Sequence, residues 1–150
     1  MEKKLSNAII SGDLDTVRSY IADGGKFEGL ILLSPDGYGK KPIELAALSQ
    51  IHHNGSAQMT KLIKENSSEE DNAKMLVSFA SEDINLGEVE VLLESGVFID
   101  SIYQNETALQ RATGNRNLKM VHLLLTHGAD PKKDGEYGTA LENAEKIYDP

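Results

Sequence analysis

The chain has 150 residues, a net charge of −9, no cysteine, no tryptophan and 39% hydrophobic residues. That length suffices for one domain with a continuous core, and the missing cysteines exclude a disulfide framework or a cysteine metal site. No apolar run approaches the ~20 residues of a membrane span, and the short apolar stretch near the start, closed by Gly12-Asp13, is a poor secretory signal, so a soluble cytoplasmic protein is expected.

The charge is unevenly placed. Residues 1–66 carry eight basic and eight acidic side chains, and residues 107–150 carry six of each. Residues 67–106 set Lys74 alone against Glu69, Glu70, Asp71, Glu82, Asp83, Glu88, Glu90, Glu94, Asp100 and Glu106. Nucleic acid and anionic membranes are disfavoured partners, because both select positive charge. A basic protein surface fits better, since opposite fields speed encounter. The free protein is expected to be a monomer.

A first helical pair is predicted over about 3–24, with Leu5 and Ala8 in one helix and Leu14, Val17, Tyr20 and Ile21 in the next. A long connection follows, about six residues longer than the one between Gly96 and Thr107. It carries Phe27, the run Leu30 to Leu33, and Ser34-Pro35-Asp36-Gly37-Tyr38-Gly39. The apolar run reads either as an exposed docking patch or as a short strand that folds back and buries itself. The second reading is expected, because exposed apolar runs invite aggregation.

A second pair spans about 41–66, with Pro42 in its first turn, then Ile43, Ala46 and Ala47, and later Met59, Leu62 and Ile63. His52 and His53 lie in an insertion between its helices. Adjacent histidines point in different directions, so a surface loop is preferred over a metal site. The link 66–73 is short enough to lack a projecting hairpin, and it holds Glu69, Glu70 and Asp71. A third pair covers about 74–96, with Leu76, Phe79, Ala80, Leu86, Val89, Leu92 and Leu93 predicted inside and Glu88, Glu90 and Glu94 on a solvated outer face.

The clearest pair lies within 107–128. Thr107 is a good N-cap. Leu109 and Ala112 share a face, and Leu118, Val121, Leu124 and Leu125 follow at helical spacing before Gly128. A single helix over about 138–147 closes the series. Ile43, Leu76, Leu109 and Leu141 recur at intervals of 33, 33 and 32 residues, with Ala46, Phe79, Ala112 and Ala144 three positions later. Gly24, Gly96 and Gly128 end the second helices. A fixed period of this size marks stacked repeats, each burying its apolar face against a neighbour.

The segment Thr107-Ala108-Leu109-Gln110-Arg111-Ala112, closed by Leu124-Leu125-Thr126-His127-Gly128-Ala129-Asp130, resembles an ankyrin repeat. The T-P-L-H-x-A opening appears with Ala108 for proline and Gln110 for histidine. The resemblance implies an all-α, ankyrin-like solenoid of helix–turn–helix repeats with short finger loops, forming one domain over 1–150. It also implies a protein–protein interaction module that binds through a concave face and its fingers. The candidate contact residues are Asp36, Tyr38, Glu69, Glu70, Asp71, Asp100, Tyr103, Asn105, Glu106, Arg111 and Tyr137. An alternative is an immunity protein that neutralises a toxin such as a basic nuclease. Catalysis finds no support, since no Gly-rich phosphate loop follows a strand and Ser56 lacks the elbow context of a nucleophile. No enzyme activity, metal or cofactor is expected.

Overall fold

The computed structural model describes residues 1–52, 56–82, 85–136 and 138–148. His53, Asp83 and Tyr137 lie outside the described residues. Nine helices and one two-stranded ribbon are present among those described. In chain order they are α1 (Glu2–Ser11), α2 (Leu14–Ala22), β1 (Leu32–Leu33), β2 (Gly39–Lys40), α3 (Pro42–His52), α4 (Ala57–Glu65), α5 (Glu69–Phe79), α6 (Leu86–Glu94), α7 (Ala108–Gly114), α8 (Leu118–Thr126) and α9 (Ala140–Tyr148). The architecture is all-α and built from helix pairs, as the periodicity implies. The chain forms two compact units, Met1–Asn72 and Ala73–Pro150.

In the first unit α1 packs against α2, α3 and β1, and α3 packs against α4. Ile9, Val17, Ile43, Ala47, Met59 and Ile63 are fully buried between them. Local chemistry sets the helix ends. The Asp13 carboxylate accepts the Thr16 amide at 3.1 Å, and the Ser56 hydroxyl accepts the Gln58 amide at 3.1 Å, so each caps the second helix of its pair. Pro42 opens α3, where its missing N–H costs nothing. The Ser49 hydroxyl donates to the Ile10 carbonyl at 2.8 Å and ties α3 to the last turn of α1.

In the second unit α7 packs against α8 and α9, and α6 against α8. Thr107 and Gln110 form a reciprocal capping box at the start of α7. Thr139 and Glu142 repeat it at α9, with bonds of 2.9 and 3.1 Å. Asn117 caps α8 through the Met120 amide at 3.0 Å. Gly128 follows α8 at φ 90°, a conformation that stops a helix and favours glycine.

Four expectations need correction. The third pair begins at Glu69 and not near residue 74, because the Ser68 hydroxyl accepts the Asp71 amide at 3.0 Å and starts the helix early. Glu88 is not on a solvated face; it is 6% exposed. In α8 the buried positions are Met120 and Leu124, whereas Leu118 and Leu125 stand 64% and 45% exposed. The helix is rotated so that Met120, absent from the predicted stripe, faces inward. In α9 the buried place falls to Ala140, and the ladder residue Leu141 is exposed.

This register gives a direct test. Leu124→Ala is expected to cost about 2–5 kcal/mol in urea unfolding, and Leu118→Ala to stay within about 0.5 kcal/mol. Equal losses at the two positions would overturn the rotation of α8.

Candidate protein-binding surface

The long connection of the first unit folds into a ribbon. β1 and β2 run antiparallel, with Leu32 opposite Lys40 and Leu33 opposite Gly39. The Ser34 amide donates to the Tyr38 carbonyl at 3.0 Å, leaving a three-residue loop of Pro35, Asp36 and Gly37. Gly37 takes φ 84°, the left-handed position such loops require. The Ser34 hydroxyl donates to the Asp36 carboxylate, and the Tyr38 amide donates to the same oxygen at 3.2 Å. These bonds, the Ser34 one foremost, hold the Asp36 carboxyl below its ordinary range.

The strand period splits the apolar run. Leu32 is fully buried, as is Phe27, while Ile31, Leu33 and Tyr38 are 50%, 66% and 69% exposed. The run therefore forms a strand, as expected, but it buries only one face. The base of the ribbon is held by two ion pairs, Lys40–Glu44 at 3.1 Å and Lys41–Asp71 at 3.0 Å.

The acids of the 66–73 link do not lie in a loop. Glu69, Glu70 and Asp71 fill the first turn of α5, where carboxylates favour the positive end of the helix. Asp71 is engaged by Lys41, whereas Glu69 and Glu70 are exposed. Only Asn66, Ser67 and Ser68 connect α4 to α5, so no finger projects there.

The fingers of the second unit are bound to one another. Tyr103 and Glu106 form a bridge across Gln104 and Asn105, which sit at φ 52° and 62° as a tight hairpin turn requires. The Asn105 side-chain amide donates to Glu136 at 2.7 Å, and the Glu136 amide donates to the Asn105 carbonyl at 3.1 Å. The Asp130 amide donates to the Asp100 carboxylate at 3.0 Å. Arg111 pairs with Glu106 at 2.6 Å. Tyr103 is half-buried, with the Lys74 ammonium 5.9 Å from its ring centre. The Gln110 amide also reaches the carbonyls of Lys133 at 3.0 Å and Gly138 at 2.7 Å.

A family model described as ankyrin repeats (3 copies) matches residues 45–134. The chain belongs to the ankyrin-repeat family. No curated protein matches it. The ankyrin-repeat match runs from within α3 to the finger before α9, and the 31–40 ribbon precedes it. Among the described residues no helix is long and apolar enough to cross a membrane.

The ankyrin-repeat framework thus sorts the predicted contact residues into two groups. Asp71, Asp100, Asn105, Glu106 and Arg111 each bond or pair with another group of their own unit. Tyr38, Glu69 and Glu70 face solvent, and Asp36, two residues before Tyr38, shapes the ribbon tip. Ile31 and Leu33 also face solvent, but the run Leu30 to Leu33 is apolar throughout, so the sequence carries no alternation that separates them from Leu32.

The Asp36 carboxyl supplies a pH test. Its folded pKa is depressed, so its contribution to ribbon stability is complete above about pH 4 and is lost as pH falls through the lower folded value. Carboxyl NMR should find Asp36 titrating below its ordinary range and moving back toward it in Ser34→Ala. An Asp36 titration unchanged by that substitution would contradict the assigned cause.

Proposed function

We propose that this ankyrin-repeat protein binds another protein through the solvent face of its 31–40 ribbon, with a basic partner favoured. Ankyrin repeats build protein–protein interaction modules, and the ribbon gives this one a specific surface. The observation that carries the proposal is the exposure of Ile31, Leu33 and Tyr38 on a ribbon whose shape is fixed from beneath and at both ends. Large apolar side chains held in water by a rigid support favour docking, and tyrosine is a frequent interface anchor. Asp36, Glu69 and Glu70 supply a negative rim that steers a basic surface toward it.

The other predicted contact residues take a supporting part in this proposal. Asp100, Asn105, Glu106 and Arg111 hold the later fingers in place, and Asp71 anchors the ribbon base through Lys41. The inhibitor alternative draws on the same negative charge.

The test compares the tagged wild-type chain with a Leu33→Ser, Tyr38→Ala variant in capture from native lysate at low salt. Both residues are exposed, so the melting temperature should hold. Capture of the main partner should fall about tenfold or more, the scale of losing an interface anchor. Equal capture by both chains would remove the ribbon as the binding surface. Charge reversal at Glu69 and Glu70 should slow association and weaken its salt dependence. Unchanged kinetics at low salt would exclude those acids from the rim.

A further inference from the structure

The hydrogen-bond pattern of the ribbon leaves one edge open. The pairs that exchange bonds in an antiparallel ladder alternate with pairs that do not. The Ser34 amide bonds Tyr38, so Leu32 and Lys40 form the next bonded pair and Gly39 points its N–H and C=O away from β1. On the opposite edge the Leu33 carbonyl points outward and receives the Ser6 hydroxyl of α1. The β1 edge is therefore covered by a helix. No hydrogen bond engages the Gly39 N–H or C=O among the described residues.

The second unit shows what normally fills such an edge. There the Glu136 amide of one finger bonds the Asn105 carbonyl of the finger before it. After the ribbon, the chain offers no next finger within the first unit, because α4 and α5 are joined by Asn66, Ser67 and Ser68 alone. The first turn of α5 follows at once, with Glu69 and Glu70 exposed and Asp71 tied to Lys41 just after β2.

The charge around this edge selects its occupant. Asp36 lies at the ribbon tip, and Lys41, the residue after β2, pairs with Asp71, which shares the first turn of α5 with Glu69 and Glu70. Lys40 and Lys41 are consumed by Glu44 and Asp71. The surplus is negative. The face beside the edge is apolar: an added Cβ on Gly39 would lie 2.6 Å from the Ile31 side chain, so Ile31 lies across Gly39.

We propose that the β2 edge accepts an extended basic segment of the partner as a third strand, in the place where a finger is missing. This rests on the ribbon being the binding surface and adds how the partner is held. The segment's backbone satisfies Gly39. Its alternate residues are apolar, extending the row of Ile31 and Leu33, and basic, answering Glu69 and Glu70.

The test uses a short capped peptide of alternating valine and lysine, titrated into the full chain and followed by amide NMR. Binding should shift the Gly39 amide and slow its hydrogen exchange about tenfold or more. Valine and lysine backbone nitrogens point to opposite edges of an extended peptide. Methylation of one set should therefore weaken binding about tenfold, and methylation of the other set should leave it within about twofold. A glutamate–valine peptide should not bind. Absence of binding by the valine–lysine peptide, or equal tolerance of both methylation patterns, would overturn strand addition. The separate ribbon-face proposal fails only if Leu33→Ser, Tyr38→Ala still captures the partner, so the two failures are distinguishable.

Discussion

Each helix pair in this protein is too thin to bury its own apolar faces, and the rest of the structure follows from that constraint. In the first unit α1 leans on α3, where Ala46 and Ala47 leave no side-chain bulk between them and their neighbours. In the second unit α7 leans on α9, with Ala108, Ala112 and Ala140 buried. Small residues let the helices approach, while Ile43, Leu109 and Leu124 supply buried area worth roughly 1.5–3 kcal/mol each. Helices packed this way put their connections outside the core. The capping residues Thr107 and Thr139 then fix where each finger ends and the next helix begins.

The connections meet two different fates. Those of the second unit close on themselves: Asn105 with Glu136, Asp100 with the Asp130 amide, Glu106 with Arg111. Each of these side chains makes a bond within its own unit, which fixes the shape of the fingers. The ribbon of the first unit is held equally firmly at its base and tip, yet its outer face and one edge are left to solvent. Apolar exposure is not confined to the ribbon, since Phe98 and Ile102 on a finger of the second unit are 62% and 48% exposed.

Much of this was legible in the sequence. The ladder of Ile43, Leu76 and Leu109 marked buried positions, Thr107 marked a cap, and Gly24, Gly96 and Gly128 marked helix ends, all at positive φ. What periodicity could not give was the rotation of a helix among neighbouring faces. In α8 both the Met120–Leu124 face and the Leu118–Leu125 face are apolar, and only tertiary packing chooses the first. The same holds at α9, where Ala140 displaces Leu141. Three consecutive acids before Asn72 read as a charged link, although they also suit the first turn of a helix. Ser68, three residues ahead of Asp71, was the signal for an early helix start, and the Lys41 partner thirty residues away in sequence had no local signature. The one-sided burial of Leu32 follows from strand geometry, but its neighbours Ile31 and Leu33 are apolar too, so the sequence hides the pattern.

Hydrogen-exchange mass spectrometry of the chain alone and with its captured partner tests the central claim most directly. Slowed exchange concentrated at residues 31–41, with a smaller effect in the first turn of α5, is the predicted result. Protection confined to residues 98–139, with 31–41 exchanging as in the free chain, would contradict it and move binding to the fingers that the structure shows tied together.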